Sequence, residues 1–159
     1  MRLLRIDEAI QACEAHLCAT SSTGTLIESL LTQSLLVIMC AEFETAIENI
    51  VSDKCNCVPE KEIRQFFASC VGAVFRSTKS SELSGLLNRF DPEIKRAFLA
   101  LTDENQVAVT YFNNIVTNRH RAAHSSGSSI TFRDAKEFYE RGHVVLDMFR
   151  QALHGSLSG

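Results

Sequence analysis

The run Asn118-Arg119-His120-Arg121-Ala122-Ala123-His124 gathers polar, cationic and proton-exchanging side chains at the end of an otherwise apolar stretch. Histidine gains and loses protons near neutral pH, so His124 and His120 are candidates for general base and acid. Such a role typically contributes on the order of 100- to 10,000-fold in rate. Arginine carries a planar, permanently charged fork that matches a phosphate and steadies negative charge as it develops. Arg119, His124 and His120 are therefore the catalytic candidates, with Arg121 and Asn118 beside them as substrate-binding candidates. A plainer reading exists: cations also favour the negative end of a helix dipole.

Other residues offer less. His16 falls on a first helix as a surface or packing residue, His143 on the exposed face of the last helix, and His154 in a frayed tail. Ser125, Ser126, Ser128 and Ser129 lie near His124, but no nucleophile-elbow motif accompanies them. No phosphate-cradling glycine-rich loop is present, which argues against an NTPase. The six cysteines are Cys13, Cys18, Cys40, Cys55, Cys57 and Cys70. Cys55-Asn56-Cys57 has no Cys/His pair at zinc spacing after it, and Cys13 and Cys18 point to different faces of a helix. They read as reduced, mostly packed thiols, and neither a metal nor another cofactor is expected.

The elements that must position the Arg/His cluster are helical by their spacing. Leu3, Ile6, Ile10, Cys13 and Leu17 make one stripe of a helix over 2–20, and Ser21 to Gly24 breaks it. Thr25 caps a second helix over 25–53, whose middle is apolar nearly all round and so is buried on more than one side. Within it, Glu42 sits on a secondary flank, either at the edge of the stripe or partly buried with a cationic partner. Residues 54–59 read as a loop. Phe66, Phe67, Val71, Val74 and Phe75 then have helical spacing, and two short helices follow, one ending before Asp91-Pro92 and one over 94–101. Thr102 reads as the cap of a third main helix over 103–122, along which Ala108, Phe112, Ile115 and Arg119 share a side. Thr131 with Asp134 forms a capping-box pattern that opens a last helix over 132–153. The expected fold is all-α: an antiparallel helical bundle in one domain, 1–159, with extra short helices between the second and third main ones.

Composition sets the class. Hydrophobic residues make up 45% and charged residues 22%, in the globular range. The longest apolar run, Leu35 to Ala41, is too short to span a bilayer, and residues 1–20 carry no signal-peptide core. A cytoplasmic protein without membrane contact is expected. The net charge of −3 is unevenly spread, with no Lys or Arg between Arg5 and Lys54. That argues against tight non-specific binding to duplex DNA, which depends on many phosphate contacts.

The cluster resembles the Arg-x4-to-6-His motif of the HEPN superfamily. Arg119 matches the motif arginine, His124 the motif histidine, His120 the polar residue after the arginine, and Ala123 the small residue before the histidine. The order of apolar helix, motif, Gly/Ser loop and capped final helix over 105–153 is similar to the C-terminal half of the small bacterial RNase-type group. Ala41-Glu42-Phe43-Glu44 on the second helix also resembles that group. The resemblance implies a metal-independent endoribonuclease, of the kind that serves as a toxin or phage-defence effector, whose homodimer brings two motifs into one cleft. Its partners would be RNA, a second copy, and an antitoxin or regulatory protein. Two alternatives stand beside it. One is a non-catalytic HEPN-like module for a nucleotide, RNA or protein. The other is a plain helical interaction domain whose acidic N-terminal third docks a basic partner.

Overall fold

The structure, a computed structural model, describes residues 1–74, 78–124 and 130–155, with every side chain among them except those at 67, 68, 70–74 and 122–124. The described residues form eight helical segments and no strand: α1 (Leu4–Thr20), α2 (Leu26–Asn56), α3 (Lys61–Val74), α4 (Ser80–Phe90), α5 (Pro92–Glu104), α6 (Gln106–His124), α7 (Phe132–Gly142) and α8 (Val144–His154). The all-α bundle expected from the periodicity is what the chain adopts.

The second helix is the axis of the bundle. Its buried residues, among them Thr32, Leu35, Leu36, Met39, Phe43, Ile47 and Ile50, line one broad face. Helices α1, α6, α7 and α8 pack around that face, and α3 packs on α2 as well. Phe43, fully buried, stacks on Phe112 of α6 with ring centres 5.0 Å apart, and on Tyr139 of α7 at 6.3 Å. The α4–α5 pair is joined through Asp91, whose carboxylate accepts from the Glu93 N–H as Pro92 opens α5. It meets α8 edge-on through Phe98 and Phe149, at 6.1 Å.

Caps hold where the sequence placed them at the second and last helices. Thr25 accepts from the Ile27 N–H, and Thr131 and Asp134 form the full reciprocal box. Glu28, buried in the first turn of α2, does more: its two oxygens accept the N–H groups of Gly24 (2.6 Å) and Phe132 (3.1 Å). One carboxylate thus fastens the α1–α2 turn to the start of α7.

Several boundaries differ from expectation. Residues 54–56 continue α2 rather than beginning a loop. Thr102 lies inside α5, its hydroxyl donating to the Leu99 carbonyl, so it does not cap the next helix. The break falls at Asn105, whose carbonyl accepts the Val109 N–H as α6 begins. The last helix is divided at His143, just after Gly142 brings its backbone against α6 at Phe112. A Cβ there would stand 2.7 Å from the Phe112 nitrogen. The expected helical positions Phe67, Val71, Val74 and Phe75 lie outside the described side chains or residues.

His143 falls one turn after buried Tyr139, at the edge of the buried stripe. Its ring is half-buried and edge-on to Tyr139 at 5.6 Å, and its Nδ1 is buried without a hydrogen-bond partner; it does not lie on an exposed face. His154 is likewise not in a frayed tail: it ends α8 with its ring 3.0 Å from the Ile50 carbonyl. Glu42 is largely buried and takes the cationic partner, Arg5, at 2.9 Å. The second helix contains an 18-residue window of mean hydropathy 1.6, so it is long and apolar enough to cross a membrane by composition alone. Polar Thr32, Gln33 and Ser34 broke the run in the sequence, but none of them carries charge.

Two outcomes follow from this packing. Gly142→Ala should cost about 1–3 kcal/mol, a forced close contact between two backbones, and lower Tm by several degrees. Gly85→Ala meets nothing within 4 Å inside α4 and should be neutral or stabilising. Equal melting temperatures for the two variants would refute the close-crossing account. Burial holds the His143 imidazole below the usual histidine range, helped by the N-terminal amine and Arg2 and opposed by Asp7. The unfolded chain therefore binds the proton first, and stability should fall as pH drops below about 6.5. His143→Gln should flatten the pH dependence of Tm between neutrality and mild acid; an unchanged slope would remove His143 as its source.

Candidate active site

Helix α6 carries the cluster, and its packing decides which members reach solvent. Phe112, Ile115 and Val116 are buried against α2 and its neighbours. Arg119 continues that stripe one turn beyond Ile115 and is half-buried, while His120 and Arg121 are exposed. Asn118 is buried, and its amide donates to the Asn114 carbonyl one turn back at 2.8 Å, so this candidate is engaged within the helix. The backbone of α6 runs through His124, the motif histidine; its side chain, like residues 125–129 with their serines, lies outside the described set.

Arg119, half-buried, is close enough to α2 for its charge to be felt there. Burial pushes the Cys40 thiol up to about 11, and the charge of Arg119 pulls it the other way while Glu44 adds to the rise. The guanidinium is therefore within electrostatic reach of a buried α2 sulfur, with Glu44 one turn further along the same helix. Among the described residues Arg119 makes no hydrogen bond and no ion pair. A half-desolvated cation left in this state favours an anionic ligand.

Because Phe43 stacks on Phe112 and Arg119, further along α6, is within electrostatic reach of the earlier Cys40, α2 and α6 run antiparallel. The motif end of α6 thus descends beside the N-terminal half of α2. The reading from sequence missed this second wall. From sequence Cys40 reads as an ordinary packed thiol. Only the α2–α6 packing brings it within electrostatic reach of the arginine.

The other titratable groups do not join the cluster. His16 is exposed on α1, and His143 and His154 are held by contacts elsewhere. The cysteines among the described residues are all free: Cys40 and Cys55 are buried, Cys13 is half-buried, and Cys18 and Cys57 are exposed. Among the described residues no group of three or more His, Cys, Asp or Glu side chains is arranged to hold a metal ion.

Comparison with known proteins agrees with the all-α fold. A family model described as RiboL-PSP-HEPN matches residues 1–154. No curated protein and no solved structure matches the chain. The match runs through every helix of the bundle and through the Arg119–His124 segment, and on that extent the chain belongs to the RiboL-PSP-HEPN family of HEPN domains.

Proposed function

We propose that the protein is a metal-independent endoribonuclease, acting in the cytoplasm as a toxin or defence effector, with its active site assembled across a homodimer. The observation that carries this reading is the half-buried guanidinium of Arg119 at the end of α6, unpaired among the described residues, in a HEPN chain that also has histidine at position 124.

RNA brings its own nucleophile. A base removes the proton of the 2′-hydroxyl, whose oxygen attacks the adjacent phosphorus. The bond from phosphorus to the 5′-oxygen breaks, and an acid protonates that oxygen. The products are a 2′,3′-cyclic phosphate and a 5′-hydroxyl, with no external water consumed. His124 moves the protons, Arg119 holds the phosphate and stabilises its developing charge, and His120 supports the site. Arg121 contributes a further cation for the RNA backbone, with Asn118 holding this turn of α6 in place. One protomer supplies few such groups, and a two-fold axis that joins two motifs doubles them. A cognate antitoxin or regulator would keep such a site closed.

His124→Ala and Arg119→Ala should each lower cleavage by on the order of 100-fold or more while leaving helicity intact. Arg119→Lys should recover only part of the activity, since an ammonium lacks the bidentate fork. His120→Ala should be milder. Cleavage should persist in EDTA, and RNA with a 2′-deoxy residue at the scissile position should resist it. Mass spectrometry of the products decides the chemistry: a 5′-phosphate formed only with added metal would overturn it. Wild-type protein that binds RNA but leaves it intact would favour a non-catalytic HEPN-like binding module.

A further inference from the structure

Helix α2 is buried along one side only, and its opposite side is apolar where it should be polar. Ile27, Leu30 and Val37 are 43%, 53% and 52% exposed. With exposed Ser34 and Ala41 they fall at alternating intervals of three and four residues, a single seam along the N-terminal half of the helix. The seam is about 21 Å long at 1.5 Å per residue. It carries no charge, because Glu28, the one acidic residue from 26 to 41, is buried and bound to backbone N–H groups. A helix face of this kind costs solubility unless something covers it.

We infer that a second copy of this chain covers it, with the two α2 helices antiparallel about a two-fold axis at Ser34. This inference rests on the homodimeric reading above and supplies its contact surface. Three features favour a like partner in that orientation. The seam is complementary to itself by size: about Ser34, Ile27 of one copy meets Ala41 of the other, Leu30 meets Val37, and the small serine lies where the backbones come closest. Charge agrees with it. Glu44, the first exposed charge beyond the seam, comes opposite position 24 of the partner, at the positive end of its α2. A parallel pairing would set Glu44 against Glu44.

The third feature is the site itself. Helix α6 packs on α2 through Phe112 on Phe43, and Arg119 is within electrostatic reach of Cys40, on one flank of the seam, whereas α1, tied to Glu42 by Arg5, borders the other. Antiparallel pairing about an axis in the plane of contact leaves both α6 helices on the same rim. Parallel pairing sends them to opposite rims. Moreover α6 continues from Arg119, at the level of Cys40, toward lower α2 numbers, so each α6 advances to the axis at Ser34 as it approaches His124. The two motifs converge there.

Cross-linking and mass test the seam without any RNA. In a Cys18→Ser, Cys57→Ser background, Ser34→Cys should form a covalent dimer on mild oxidation, because the two copies meet at the axis. Ala41→Cys should not, since its copies stand about 21 Å apart along the helix direction. The background protein without Ser34→Cys should stay uncross-linked. Equal cross-linking of both variants, or of neither, would overturn the arrangement. Leu30→Arg and Val37→Arg should raise the dimer dissociation constant on the order of thirtyfold or more, with helical circular dichroism unchanged. A wild type that sediments as a monomer, or floats as a monomer with phosphatidylglycerol vesicles, would also overturn it. Activity separates the two claims: a Ser34→Cys dimer inactive on RNA refutes the nuclease alone, and an active enzyme still dimeric as Val37→Arg refutes the seam alone.

Discussion

The stack of Phe43 between Phe112 and Tyr139 is the contact on which the molecule depends. These rings come from α2, α6 and α7, segments far apart in sequence, and each is fully buried. Their contact fixes α6 against α2 at one point and orients both helices about it. The close crossing at Gly142 fixes the other side of Phe112, by bringing the α7 backbone against it. Once those helices are held, the position of Arg119 follows from the pitch of α6: seven residues on from Phe112, it is delivered to the level of Cys40. The site is built by packing that lies two turns away from it.

This dependence explains what could be read in advance. The helices, the Thr25 cap and the Thr131–Asp134 box were legible because each rests on neighbours within a few residues. Arg119 was legible for the same reason, since the stripe through Phe112 and Ile115 carries it inward. The division at His143 was not. It coincides with the contact of Gly142 with Phe112, thirty residues away, and the apolar pattern runs on through it. The exposed placing of His143 failed for a nearer reason: four residues after buried Tyr139, it lies at the edge of the inward stripe, and its polarity alone assigned it to water. Thr102 failed differently: with Asp103 and Glu104 after it, the local pattern of a cap is complete. A threonine hydroxyl can equally satisfy a carbonyl one turn back, and that is what it does.

Electrostatics in this chain are local. Its net charge is −3, and the ion pairs Arg2–Asp7, Arg5–Glu42, Arg96–Glu93, Lys136–Glu14 and Arg141–Glu137 use up several of its cations. Most of these pairs are exposed and each adds little to stability. Their effect is to leave a surface with little long-range attraction for a polyanion. Arg119 differs in being half-buried without such a partner, at a helix end whose dipole favours positive charge. An anion arriving there gains from a cation that water screens poorly, whatever the charge elsewhere.

The same helix that stabilises the protomer also bears on the proposed dimer. A helix whose apolar residues covered only one face would bury them and present charge outward. In α2 the inner face holds the ring stack and the outer face keeps Ile27, Leu30 and Val37 in solvent. Replacing those three by charged residues would make a better-behaved monomer, and the inner packing would not object. Their presence therefore has no origin in the stability of the single chain. A requirement outside the chain can supply one: on the proposed reading, the helix that carries Arg119 and His124 packs beside this face, and a dimer that shares the face would bring a second set to the first.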